Sequence, residues 1–330
     1  MEKNKKSILL LCKIDLTGSE KKEISISFNT EGFWADLDKF AEINRVYPLI
    51  YSQLKKIDSD LIIPEKMTKI YLYSLKINTL LKKEFLSVRD KLLENKIPVI
   101  PLKGIDLEDR IYKNIGARNM VDIDILVKKE DSEKAKTVLK SLSYSAYPKI
   151  SPESQIILSK KMSPSVISNI DLHWEIFPPR PYKISLPGIW TSDKLRLEDA
   201  VIVTTLHIRR HIRQATFKDF CDVLNILEQK ESNIDYSYLK KIAKKNHIKN
   251  CLSFSIFAIN NIFGTDLPQL FKISSFRKKI LLYLFPQDIF FKETKNKVKL
   301  SILRIFLFDS IIDIIVYIVR VSLFERRFKI

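Results

Sequence analysis

Asp122, Ile123 and Asp124 are the residues whose types and spacing point most directly to chemistry. In an extended segment alternate side chains share a face, so both carboxylates project one way while Ile123 and Ile125 enter a core on the other. Two carboxylates held that close repel, and joint ionisation is disfavoured unless a cation stands between them. A hard divalent ion such as Mg²⁺ or Mn²⁺ removes the penalty and prefers oxygen ligands. A further carboxylate lies in the run from Ile170 to Ile176, where Ile170, Leu172, Trp174 and Ile176 alternate with Asp171, His173 and Glu175. Read as a strand, that run adds Asp171 to a three-carboxylate site, as metal ligand or as general base toward an acceptor hydroxyl.

A phosphate substrate needs a cradle as well as a metal. Lys103 and Gly104 follow a short apolar run, Ile97 to Leu102, and precede a helical stretch from Asp106 to Tyr112. Gly104 would let the backbone approach a phosphate, and Lys103 would add a point charge. Arg118, four residues before Asp122, could fork onto a β- or γ-phosphate oxygen. Taken singly, each feature has a bland reading: a solvated acidic pair, or an ordinary turn glycine. Order and spacing together favour the chemical one.

The elements needed to position these residues can be read from the pattern. Apolar residues at helical spacing fill a lead-in from about 32 to 96. Short β-rich runs at 97–102 and 121–127, a helix over about 130–142, and an extended region from Gln155 to Phe177 with a turn near Met162–Ser165 define a compact α/β segment. Beyond Pro187 the chain reads as helices, including 194–213, 217–231 and 298–324. The fold class is α+β, divided into a helical region 1–95, a core 96–180 and a helical domain 181–330. The chain has 330 residues, 45% hydrophobic, with only 6 Gly and 13 Pro, which excludes disordered, collagen-like and disulfide-scaffold classes. Its net charge of +18 favours polyanionic partners without specifying a fold. Cys12, Cys221 and Cys251 form no metal or disulfide pattern, for which a reducing cytoplasm is the simplest compartment.

The stretch Ile100–Ile105, then Tyr112, Gly116–Arg118, Met120–Val127 and Ser143–Tyr144, closely resembles the uncharacterised nucleotidyltransferase family of the polymerase-β-like superfamily. The resemblance takes in Asn44–Tyr51 upstream, and Asp171–Trp174, Leu206, His207, His211 and Asp222 downstream. It implies a minimal nucleotidyltransferase core, a mixed sheet with flanking helices, between an N-terminal helical region and a C-terminal helical bundle. It also implies metal-dependent transfer of a nucleoside monophosphate from an NTP to an acceptor hydroxyl, with pyrophosphate leaving. Asp122 and Asp124 fall on the metal-binding pair and Asp171 on the third acidic position. Where such proteins usually carry Gly-Ser or Gly-Gly after the first strand, this chain has Lys103, Gly104 and Ile105, so phosphate contacts fall to backbone amides or to Lys103. The acceptor, whether RNA, protein or small molecule, is not legible. The alternative reading is a nucleotide- or RNA-binding module with little turnover.

His207 and His211, four apart on a helix, share a face. With no third ligand nearby they read as structural or substrate-contacting residues and no structural zinc is expected; His173 is a candidate substrate contact. Arg209, Arg210 and Arg213 on the same helix read first as a solvated basic face. The tail from 271 to 330 carries 13 Lys and Arg against 5 Asp and Glu. Within it, residues 300–324 are strongly apolar, with Asp309, Asp313, Tyr317 and Arg320 on one stripe of a helix. That helix reads either as part of the C-terminal bundle or as a peripheral contact with an anionic membrane's inner face; its charges argue against a spanning segment.

Overall fold

A computed structural model describes residues 4–146, 154–164, 166–177, 184–229 and 233–327. Five helices lead in: α1 (Lys5–Leu10), α2 (Gly18–Ser27), α3 (Phe33–Asn44), α4 (Tyr47–Ile57) and the long α5 (Glu65–Glu94). The central segment runs β1 (Val99–Leu102), α6 (Lys103–Leu107), β2 (Ile123–Val127), α7 (Ser132–Ser141), β3 (Ser145–Ala146), β4 (Gln155–Ser163) and β5 (Val166–His173). Helices α8 (Leu197–His211), α9 (Phe217–Leu227), α10 (Tyr236–Lys245), α11 (Lys249–Phe263), α12 (Ser275–Leu284), α13 (Lys297–Phe306) and α14 (Ile311–Arg327) follow.

The strands form one mixed sheet in the order β1-β2-β5-β4-β3. β1 runs antiparallel to β2 at the edge, the position that tolerates Pro101, and β4 and β5 form the expected hairpin. Ser165 of that turn lies outside the described residues. β2 pairs parallel to β5 with Asp124 opposite Asp171 and Leu126 opposite His173. The α+β class and mixed sheet with flanking helices expected from the sequence are therefore present.

Two cores grip the sheet. Ile123, Ile125 and Val127 of β2 and Ile170 and Leu172 of β5 pack with Leu81, Phe85, Val88 and Leu92 of α5 and Ala135, Val138 and Leu139 of α7. Each fully buried Ile or Leu contributes roughly 1.5–3 kcal/mol, so these strands cannot turn over. Alternation then sends Asp124, Leu126, Asp171 and His173 to the opposite face. There Ile100, Leu102 and Leu126 join a larger core built by the N-terminal helices together with α8, α9 and α11. The face that carries Asp124 and Asp171 is thus covered by helices from both ends of the chain.

One expected helix is two. The run 298–324 breaks at Leu307–Ser310 between α13 and α14. Asp309, in that break, accepts hydrogen bonds from the backbone N–H groups of Lys249 (2.8 Å) and Asn250 (2.7 Å), satisfying otherwise unpaired donors at the start of α11. Asp309 and Asp313 therefore do not share one helical stripe: Asp309 serves as a remote cap and Asp313 is buried in α14. The side chain of Arg320 lies outside the described residues. No described helix is long and apolar enough to cross a membrane.

Candidate active site

Asp124 is the centre of the site. It is buried, and its Oδ1 accepts from Lys103 Nζ at 2.6 Å and lies 3.1 Å from His173 Nε2. The same His173 nitrogen lies 3.4 Å from Asp171 Oδ2. Burial pushes the Asp124 carboxyl upward, but the Lys103 ammonium and the His173 hydrogen bond outweigh it and hold the group well below the carboxylate range. The same contacts raise Lys103 and His173 against the opposing effect of burial.

Lys103 reaches Asp124 because it leaves β1 directly beside it, Leu102 being opposite Asp124 in the ladder. Its φ of +51° is left-handed, a conformation costly for a residue with a Cβ and kept where surroundings over-determine it. Asp122 stands one residue before β2 begins, half-buried, its carboxyl raised by burial and by the neighbouring Asp124 charge. Asp171 is held by Gln155, whose Nε2 donates to both carboxylate oxygens at 2.9 and 2.7 Å. Arg210 NH1 in turn donates to Gln155 Oε1 at 3.2 Å.

Asp124, Asp171 and His173 each offer a ligand atom within 4.8 Å of the others, a buried set able to hold a divalent metal ion. Two carboxylates and one imidazole are donors for such an ion, and the second ring nitrogen, His173 Nδ1, is buried without a hydrogen-bond partner. The three-carboxylate expectation is altered in one respect: the compact set takes in His173, expected only as a substrate contact, and leaves Asp122 just outside.

Two residues expected at the phosphates, Arg118 and Gly104, have neighbours from the chain itself. Arg118 is buried, and its fork is closed on Asp222 of α9, Nε to Oδ1 at 2.9 Å and NH2 to Oδ2 at 2.7 Å. Tyr112 donates to the same Oδ1 at 2.6 Å. Burial opposes the Arg118 charge, but Asp222 raises its pKa regardless. Arg118 is therefore turned toward α9, with both donors of its fork spent. Gly104 lacks a left-handed φ; what it supplies is space, since a Cβ there would stand 2.4 Å from Arg118 NH1 and 3.1 Å from Met120 Cγ. The room above Gly104 is filled by the chain's own side chains.

His207 Nδ1 lies 3.0 Å from Asp219 Oδ2, and the His207 and His211 rings stand 4.4 Å apart. Burial, with His207 and Arg210 adding to it, pushes His211 down to about 4, and Lys103 is close enough to contribute. Arg210, read from sequence as solvated, is half-buried over Gln155 and feels Asp171 and Asp124.

Gln155, Arg210, Lys218 and Asp219 were not picked out as site residues by the sequence. Lys218 Nζ donates to the Asn119 carbonyl at 3.4 Å; burial and Arg118 lower its pKa, and Asp122 is within electrostatic reach. The available signal was three charges, Lys218, Asp219 and Asp222, inside an otherwise apolar helix.

A family model described as an uncharacterised nucleotidyltransferase matches residues 30–264. No curated protein and no solved structure matches the chain.

Proposed function

The chain belongs to an uncharacterised nucleotidyltransferase family, and from that premise we propose that it transfers a nucleoside monophosphate from an NTP to an acceptor hydroxyl, releasing pyrophosphate. The observation that carries this reading is the Asp124–Asp171–His173 set on one face of β2 and β5 with Asp122 beside it. A protein that only bound nucleotide would gain little from a repelling acidic set on its reactive face.

Asp124, Asp171 and His173 would hold the metal, Mg²⁺ or Mn²⁺, with Asp122 completing the acidic group. Bound there, the ion would supply charge neutralisation at the triphosphate and at the attacking oxygen. Lys103, fixed beside Asp124, is the cation we assign to the phosphates, and its ammonium must swing from Asp124 Oδ1 to meet them. Gln155 clamps both oxygens of Asp171 and so orients this carboxylate from the second strand. Arg210 holds Gln155 in place. With its fork on Asp222, Arg118 anchors the turn before Asp122 to α9, and we assign it no phosphate contact.

The test is incubation of the protein with each α-labelled NTP, Mg²⁺ or Mn²⁺, and cell extract. Label moving to RNA, protein or a small molecule, with pyrophosphate formed, supports the reading and identifies the acceptor class. No transfer from any of the four nucleotides would defeat it.

One observation favours a second site of contact. Ile311, Ile312, Ile315 and Ile318 of α14 are at least half exposed, and Lys and Arg predominate in this part of the chain. We assign this face to peripheral attachment at an anionic membrane on its cytoplasmic side. The free, buried cysteines Cys12, Cys221 and Cys251 suit that compartment. Liposome co-sedimentation of the full chain, with and without anionic lipid, tests it; equal recovery in the two would remove it.

A further inference from the structure

Asp171 is poorly placed to serve as base. Assigned to the metal, and with Gln155 donating to both of its oxygens, Asp171 is oriented toward the ion rather than turned to an acceptor hydroxyl. A transfer to a hydroxyl still requires a proton acceptor.

The last turns of α8 supply one. Arg210 reaches over Asp171 through Gln155, and His211 stands within electrostatic reach of Lys103, so this end of α8 walls the acid cluster. α8 also packs against α6, which begins at Lys103. On this wall His207 has a partner the other ring lacks, the buried carboxylate of Asp219 at 3.0 Å from Nδ1. Burial pushes Asp219 upward, but the His207 hydrogen bond and nearby cations bring it below its ordinary value, so it remains a carboxylate and can only accept. Nδ1 must then carry the hydrogen, which leaves Nε2 as the nitrogen with a free lone pair. The His207 side chain is 27% exposed, while that of Asp219 is 6% exposed. A carboxylate-oriented imidazole is the arrangement that activates a hydroxyl in nucleophilic catalysis, and here it stands on the helix that covers the acid cluster.

We propose that His207, held in one tautomer by Asp219, is the general base that takes the proton of the acceptor hydroxyl. This rests on the nucleotidyltransfer reading and adds a catalytic residue to it. As the acceptor oxygen bonds to the α-phosphorus, its proton passes to His207 Nε2. The bond from that phosphorus to the bridging oxygen breaks, and its electron pair leaves with pyrophosphate. The proton then passes to solvent. Asp219 is a positioning residue. The groups that meet His207 directly are Asp219 on α9 and the His211 ring on α8; Arg210 and Lys103 act on His211, and Lys218 and Arg118 act on Asp219.

The experiment measures pyrophosphate release from ATP, GTP, CTP and UTP with Mg²⁺ and desalted cell extract, for wild type, His207→Ala, His207→Gln and Asp219→Asn. Melting curves for each variant establish that it is folded. We expect kcat to fall roughly 10²–10⁴-fold in both His207 variants, with KM for the nucleotide little changed. Added imidazole should restore activity to His207→Ala but not to the bulkier His207→Gln, and Asp219→Asn should shift the acidic limb of the kcat profile. A folded His207→Ala with wild-type kcat, or with a loss that imidazole does not restore, overturns the proposal. Loss of the alkaline limb instead would make His207 an acid toward pyrophosphate and also overturn it. Wild-type protein that releases no pyrophosphate brings down the nucleotidyltransfer reading itself, whereas active wild type with a normal His207→Ala brings down this inference alone.

Discussion

Two buried charge clusters lie on either side of the turn 118–122, and they are built on opposite principles. Around Asp222, one carboxylate meets one guanidinium through two short bonds, a tyrosine hydroxyl takes the remaining capacity, and the group is closed to solvent. Around Asp124, several carboxylates converge on Lys103 and His173, and two of them, Asp122 and Asp171, are only partly buried. The first is complete as it stands. The second holds a repelling acidic set in register, which costs stability and makes sense where a further cation and a phosphate are to arrive. On the proposed function, the comparison separates a charge cluster that fixes the fold from one kept for chemistry.

Removing one member of the complete cluster should have the largest effect on stability. Arg118→Ala leaves Asp222 buried without its counter-charge and is expected to cost about 3–5 kcal/mol in denaturant unfolding; a loss below about 1 kcal/mol would erase the contrast. Gly104→Ala comes next, because its methyl group would press on Arg118 NH1 and Met120. Overpacking there should cost about 1–3 kcal/mol. The open cluster should respond in the opposite direction. Burial and Asp124 both raise Asp122, so its charge is an expense to the folded state at neutral pH. Asp122→Asn is expected to leave stability unchanged or increase it by on the order of 1 kcal/mol, and marked destabilisation would mean that the acidic pair is structural.

The smallest effect concerns Asp219. Its folded pKa is depressed despite burial, through His207 and neighbouring cations, so its stabilising contribution is present above the unfolded value of about 3.9 and is lost as pH falls through the folded value. Asp219→Asn removes that dependence. The stability gap between wild type and variant should therefore be widest above about pH 4 and close below it, by on the order of 0.5 kcal/mol. A gap that widens in acid would contradict the assignment.

How far the sequence revealed the two clusters follows from the range of the contacts that build them. Alternation in 121–127 and 170–176 is local, so the shared face of Asp124 and Asp171 could be read directly, and Lys103 stood beside them by order along the chain. Parallel pairing of β2 with β5 brought His173 into the ligand set, which no single strand pattern specifies. Arg118 was legible as a cation near the site but not as the partner of a residue 104 positions away. Gln155 and Arg210, 55 positions apart, escaped for the same reason. The interruption after α13 was hidden because Asp309 acts as a cap on a helix some 60 residues earlier.

The most direct measurement is divalent-metal-dependent pyrophosphate release by wild type and by the double variant Asp122→Asn with Asp124→Asn, at saturating NTP and with cell extract as acceptor source. Wild type should release pyrophosphate and transfer the nucleotide only when Mg²⁺ or Mn²⁺ is present, and the folded double variant should do neither at any nucleotide concentration. Release that persists in the double variant, or that is indifferent to metal in wild type, would contradict the assignment of the Asp124 cluster as the catalytic centre.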